Sequence, residues 1–218
     1  PRAPGASQAE QDKAKVLQNE MSLTVNQFII RRTNTINAKF LPDKLVQIVC
    51  CNLTQTQKDI YKRLMSTKDV VAATEGKVKD ALSYIQMMQK LCNHPKILEL
   101  SCGGKAKGLS KEELALFGVP IDTPGADEKE HNKIYPELSG KMEVLHNLMD
   151  VMWKDQDAKR PPDKIVVISV YTQTLDLVQR MCKGKKWPVV RLDGSLAVKK
   201  RMELVNAFND VKNRNSFV

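Results

Sequence analysis

Apolar residues recur at helical spacing along much of the chain, and the places where that rhythm breaks divide it. Ala14, Leu17, Met21, Val25 and Phe28 share one stripe, which predicts an amphipathic helix over residues 7–30. Past Phe40-Leu41-Pro42 the period changes, and the β-branched run LVQIVCCNL at 45–53 reads as a strand. Thr54 followed by Gln57 has the form of a capping box, in which each side chain satisfies a backbone donor of the other, and it opens a helix over 55–65. A second stripe, Val78, Ala81, Leu82, Ile85, Met88 and Cys92, predicts a helix stopped by Asn93-His94-Pro95. Periodicity then fades over 101–138, where glycines, prolines and acids mark a long loop or linker with one short helix at 111–117.

Beyond that linker the pattern is regular again. Ser139 is placed to cap a helix whose Met142, Leu145, Leu148, Met149 and Met152 face a core. KIVVISV at 164–170 is a continuous apolar run suited to a strand buried on both faces. A helix from Thr172 follows, with Leu175, Val178 and Met181 inward. PVVRL at 188–192 then reads as a second strand, and Ser195 opens a helix on Val198, Met202, Val205 and Phe208. Short strands alternating with helices predict an α/β fold, a parallel sheet with right-handed crossovers, of which two strands are visible.

Composition narrows the function classes. The chain has 218 residues, 42% hydrophobic and 28% charged, which suits a globular protein of one or two domains. No run approaches the roughly 18 apolar residues of a membrane span, and the first twenty residues are too polar for a signal peptide, so no membrane partner is expected. Five cysteines without a CxxC pair fit a reducing compartment. The net charge of +10 favours a polyanionic partner, and it is concentrated: residues 31–63 hold seven basic against two acidic residues, and residues 183–214 nine against three.

Candidate chemistry collects at the two turns that follow the predicted strands, where open parallel sheets meet their ligands. Tyr171, Thr172, Gln173 and Thr174 form one turn, and Asp193, Gly194 and Ser195 the other. Small hydroxyls and free N–H groups at a helix start serve either as caps or as phosphate ligands. Lys199, Lys200 and Arg201 lie where a helix N-terminus disfavours cations, so their charge has no obvious value for stability and suits a nucleic-acid backbone. An ATP-binding loop needs glycines leading to Lys and Ser/Thr. Gly76, Gly104, Gly140 and Gly184 each precede a lysine, but none of these pairs is followed by Ser or Thr. Asp127-Glu128-Lys129-Glu130 lies in a polar loop rather than after an apolar strand, and Cys92, His94 and Cys102 lack paired zinc spacing, so no metal site is expected. With three histidines and no Ser-His or Cys-His pattern, nucleophilic catalysis has no support, and no catalytic residue is assigned. Trp153 and Trp187 read as core-edge packing.

Five ordered blocks carry a family resemblance. PDKLVQIVCCNLTQTQKDIYKRLM, KLCNHPKIL, SGKMEVL, VVISVYTQTLDLVQRMC and VVRLDGSLAVKKRMELVNAFN resemble the corresponding blocks of the Swi/Snf-type DNA-translocase ATPases, nearest to the recombination-repair branch of the Rad-fifty-four type. NQFIIRRTN, upstream, resembles the family's segment at the end of the first motor lobe. The resemblance implies a two-lobed, RecA-like motor that moves along double-stranded DNA in homologous-recombination repair and nucleoprotein remodelling, in the nucleus, with a recombinase filament as protein partner. ATP and magnesium would lie between the lobes of the complete motor. Their ligands are expected upstream of Pro1 and the arginine finger beyond Val218, so no cofactor and no ATPase activity is expected of this chain alone.

Residues 1–100 would then be the end of the first lobe and a helical interlobe region, 101–138 a variable linker, and 139–218 the start of the second lobe, a truncated helicase C-terminal domain. The residues carried over are Arg31 and Arg32 with the two turns as DNA contacts, and Lys141, Arg191 and Asp193 as support for the interlobe motifs. Val170 departs from the branch, which usually has asparagine there. The alternative reading is a non-catalytic DNA-binding or regulatory module derived from such a motor.

Overall fold

The computed structural model describes residues 7–30, 33–74, 81–101, 109–122, 125, 127, 133–156, 163–210, 212–213 and 216–218. It divides into two compact units, Pro1–Val49 and Cys50–Val218.

In the first unit, Ser7 and Glu10 form a capping box that opens helix α1, Gln8–Val25. A 3-10 helix, Asn34–Phe40, follows. Val16, Leu17 and Met21 are more than half exposed, and α1 has no buried residue.

The second unit begins with α2, Gln55–Met65, whose Thr54–Gln57 capping box is present as its sequence predicts. It continues through α3, Lys68–Thr74, α4, Ala81–Asn93, α5, Lys96–Ser101, and α6, Lys111–Leu116. The sequence pattern does not predict α3 or α5. Ile60 and Leu64 of α2, Leu91 of α4, Leu98 of α5 and Leu114 of α6 close one apolar core with Leu109 and Val119. On α4 the buried residues are Tyr84 and Leu91, while Leu82 and Ile85, assigned inward from the sequence, are exposed. Neighbouring stripes on one helix differ by a rotation of a single residue, and packing partners choose between them.

The second core gathers around α7, Gly140–Lys154, and α8, Thr172–Gly184. Met142 and Met149 of α7 pack with Leu177, Val178, Met181 and Cys182 of α8 and with Trp187, Phe217 and Val218. Leu148, predicted inward, is exposed. Trp187 is buried and Trp153 packs against Phe217 in a tilted pair with ring centroids 5.0 Å apart, so both tryptophans are packing residues. Ile97 of α5 also belongs to this core, while its neighbour Leu98 belongs to the first, so α5 is shared between them.

The predicted parallel sheet is not formed: among the described residues there is no strand. The runs 45–53, 164–170 and 188–192 lack ladders. A strand exists only when a neighbouring backbone takes its N–H and C=O groups in register. Here the tail 216–218 bonds to both later runs, through Ile165 N–H to Phe217 O (2.9 Å), Val190 N–H to Val218 O (2.8 Å) and Phe217 N–H to Pro188 O (3.0 Å). Among the described residues these bonds do not make a ladder with either run. Ile168 and Val170 are accordingly 88% and 91% exposed, where burial on both faces was expected. Helix α9, Val198–Asn209, is corrected in the same way. Its Val198 and Met202, predicted to face the core, are 81% and 63% exposed.

Candidate nucleic-acid interface

Helix α8 starts at Thr172 behind Tyr171, which is extended and supplies no side-chain cap. The first-turn N–H groups of a helix have no intrahelical partner. Those of Thr172 and Gln173 therefore sit at the positive end of a 13-residue helix without a capping side chain. Tyr171 is fixed from both sides: Ser169 Oγ accepts its N–H at 3.2 Å, and its hydroxyl donates to Gln89 Oε1. Lys90 of α4 lies over its ring, 5.8 Å from the centroid. Thr172 is exposed, while Gln173 and Thr174 are half-buried.

Lys141, in the first turn of α7, is brought to the same place. Its ammonium donates to Asn93 Oδ1 at 3.1 Å, and Asn93 Nδ2 donates in turn to Thr174 Oγ1 at 3.4 Å. A cleft of about 710 Å³ beside them is lined by Tyr61, Met88, Cys92, Asn93, Lys141 and Tyr171 among others. Sequence reasoning placed Lys141 with the interlobe support and passed over Lys90 and Asn93. The latter reads as part of a helix stop, and its partners are 48 and 81 residues away in the chain.

The second turn is closed on itself. Asp193 Oδ1 accepts both the N–H of Ser195 (2.9 Å) and its hydroxyl (2.6 Å), and Oδ2 accepts Arg191 Nε at 2.7 Å. These bonds, from Ser195 first and then Arg191, hold the Asp193 carboxyl down at about 2. Arg191 also pairs with Asp176, which raises its own pKa further, and reaches Gln179 Oε1 at 3.3 Å. Arg201 donates to Leu196 O (2.8 Å) and Gly194 O (3.2 Å), so it staples the turn. Because Ser195 is engaged there, α9 opens at Val198 behind Ala197 rather than at Ser195. Lys199 and Lys200 remain exposed. Arg31 and Arg32 lie outside the described residues.

Of the four Gly-Lys pairs, the two within the described residues are not arranged as a phosphate loop. Gly140 N–H is given to Gln57 Oε1 at 3.3 Å, and Gly184 ends α8, the helix end that repels anions. Gly76 and Gly104 lie outside the described residues, as do Cys102 and most of the acidic loop at 127–130. His94 cannot complete a metal site in this arrangement, since Nδ1 accepts Lys96 N–H at 3.0 Å and Nε2 lies 3.0 Å from Tyr135 O.

Residues 5–97 match the SNF2-related domain. Similarity to curated relatives extends over nearly the whole chain. It is 37% identical to the human DNA repair and recombination protein RAD54-like over 210 residues, 95% of this chain and 26% of that protein. It is 37% identical to the DNA repair and recombination protein RAD54 of Oryza sativa subsp. japonica over 222 residues, 100% of this chain and 22% of that one. The chain is of the Swi/Snf type and RAD54-like. Protein CHROMATIN REMODELING 25 of Arabidopsis thaliana is 36% identical over 219 residues, 96% of this chain and 23% of its own length. The RAD54-like chain thus spans about a quarter of the length of these relatives.

Proposed function

We propose that this chain is part of an ATP-driven double-stranded-DNA translocase acting in the nucleus in homologous-recombination repair and nucleoprotein remodelling. Within it, this segment grips the DNA backbone and couples the lobes, and ATP and magnesium are held by other parts of the motor. A recombinase filament is the protein partner expected on the same ground. Relatives named for DNA repair and recombination support the setting.

The observation that carries the local role is the uncapped start of α8, with Thr172 exposed and the Lys141 ammonium linked to Thr174 through Asn93. Backbone N–H groups, hydroxyls and one ammonium are the donor set that holds a phosphate, and a motor that tracks a duplex needs contacts that ignore base identity. Coupling would run through α5, which contributes to both cores.

Thr172→Asp separates phosphate binding from capping. A carboxylate in the first turn favours the helix and repels a phosphate. The expected result is unchanged or raised thermal stability with duplex-DNA affinity lowered about tenfold or more; unchanged affinity overturns the reading. The chain alone is expected to show no magnesium-dependent ATP turnover with duplex DNA, and clear turnover would overturn the division of labour.

A further inference from the structure

Several cations among the described residues of the second unit are neutralised where they stand. Lys96 pairs with Glu99 and Asp122, Arg180 with Asp122, Arg191 with Asp176 and Asp193, and Lys154 with Asp150. Lys141 differs, because the group that holds its ammonium is the neutral amide of Asn93. Its direction is set and its charge is kept. It also occupies the first turn of α7, where the helix dipole opposes a cation, so neither α7 nor a counter-ion among the described residues accounts for it.

Asn93 itself is held at three points. Its backbone oxygen accepts the Ser139 hydroxyl at 2.6 Å, its Oδ1 accepts Lys141 Nζ, and its Nδ2 donates to Thr174 Oγ1. A single amide at the end of α4 therefore ties the starts of α7 and α8. Its effect on each partner is chemical. Lys141 gives up one of three N–H donors and keeps two, and Thr174 accepts from Asn93 and so keeps its hydroxyl proton for an outside acceptor.

We propose that Asn93 is a positioning residue for nucleic-acid binding, aiming the Lys141 ammonium and the Thr174 hydroxyl at one backbone phosphate without neutralising either. The proposal rests on the DNA-backbone reading of α8. A lysine held in advance loses less side-chain freedom when the phosphate arrives, so the bracket strengthens binding without adding charge.

The test uses the full chain and a duplex of random sequence, with affinity measured over a range of salt and folding followed by thermal melting. Lys141→Ala is expected to lower the slope of log affinity against log salt by about 0.9. Asn93→Ala is expected to weaken binding about fivefold with the slope unchanged, and to cost under about twofold once Lys141 and Thr174 are both alanine. Asn93→Asp keeps the shape and the acceptor but neutralises Lys141, so its slope should fall by about one unit. Equal losses from Asn93→Ala in both backgrounds, or an unchanged slope in Asn93→Asp, overturn the positioning role. If Lys141→Ala changes neither affinity nor slope, the interface reading fails and the proposal with it, which tells the two failures apart.

Discussion

Gln57 Oε1 accepts the backbone N–H of Gly140 at 3.3 Å, across 83 residues of chain. The same oxygen closes the capping box with Thr54 N–H at 3.1 Å, and the amide nitrogen donates to Leu91 O (2.8 Å) and Cys92 O (3.3 Å). One fully buried amide thus serves the start of α2, the end of α4 and the start of α7.

Removing that amide strands several buried backbone groups at once. Gln57→Ala should lower unfolding free energy by about 3 kcal/mol, since each unsatisfied buried group costs about 1–3 kcal/mol. Urea denaturation checks it, and a loss under about 1 kcal/mol would mean that water or neighbours replace the amide.

Gly140 is required by proximity rather than by backbone angle. A Cβ there would stand 1.9 Å from Asn52 O, a backbone atom. Gly140→Ala is expected to destabilise by roughly 1–3 kcal/mol through displacement of the 52–54 segment. Thermal melting beside an alanine at exposed Gly194, where nothing lies within 4 Å, provides the control.

Burial holds the His94 imidazole well below its ordinary range, at about 4, although its bond to Tyr135 O pulls the other way. The folded chain keeps His94 neutral, while an unfolded chain takes up the proton near pH 6.5. Stability is therefore complete above pH 6.5 and falls as the pH drops towards 4, by up to about 3 kcal/mol in total. Denaturation at stepped pH should show that slope in the parent and a shallower one in His94→Gln.

Lys96, Glu99 and Asp122 form a largely buried charge cluster, with Lys96 Nζ 2.7 Å from Glu99 and 2.8 Å from Asp122. Burial works against the Asp122 carboxylate, yet bonds from Lys96 and Arg180 hold its pKa below the usual value. Lys96→Met leaves Glu99 buried with the Asp122 N–H, 3.1 Å from Oε1, and half-exposed Lys111, 3.3 Å away, as its remaining partners among the described residues. Breaking a buried pair from one side costs about 3–5 kcal/mol, and that loss should appear in urea denaturation at pH 7. Replacing Lys111 by alanine should cost under about 1 kcal/mol.

Within the basic cluster of α9, structure separates three residues that look alike in sequence. Arg201→Ala should cost about 1 kcal/mol by releasing the carbonyls of Gly194 and Leu196, whereas Lys199→Ala and Lys200→Ala should stay within about 0.5 kcal/mol. For duplex binding the order reverses. Each lysine that contacts a phosphate should lower the salt slope by about 0.9 when removed, and Arg201, already committed to the turn, by less. Equal slope changes from all three would show that Arg201 leaves the turn for DNA.

What the sequence determined by itself is local. The capping box at Thr54, the Ser139 cap, the stop at Asn93 and the start of α8 at Thr172 all appear where residue types and spacing require, because caps depend on neighbours within four residues. The ordered blocks also identified the Swi/Snf type without any coordinates. Tertiary structure decided the rest. KIVVISV has the composition of a buried strand, but its ladder hydrogen bonds must come from elsewhere in the chain, and among the described residues it and PVVRL share backbone hydrogen bonds with 216–218. Val198 and Met202 make a good apolar stripe that none of the described residues covers. The same limit applies at the interface: the threonines of α8 are legible as donors, but the amide that joins Thr174 to Lys141 belongs to a helix 81 residues earlier, and only folding brings them together.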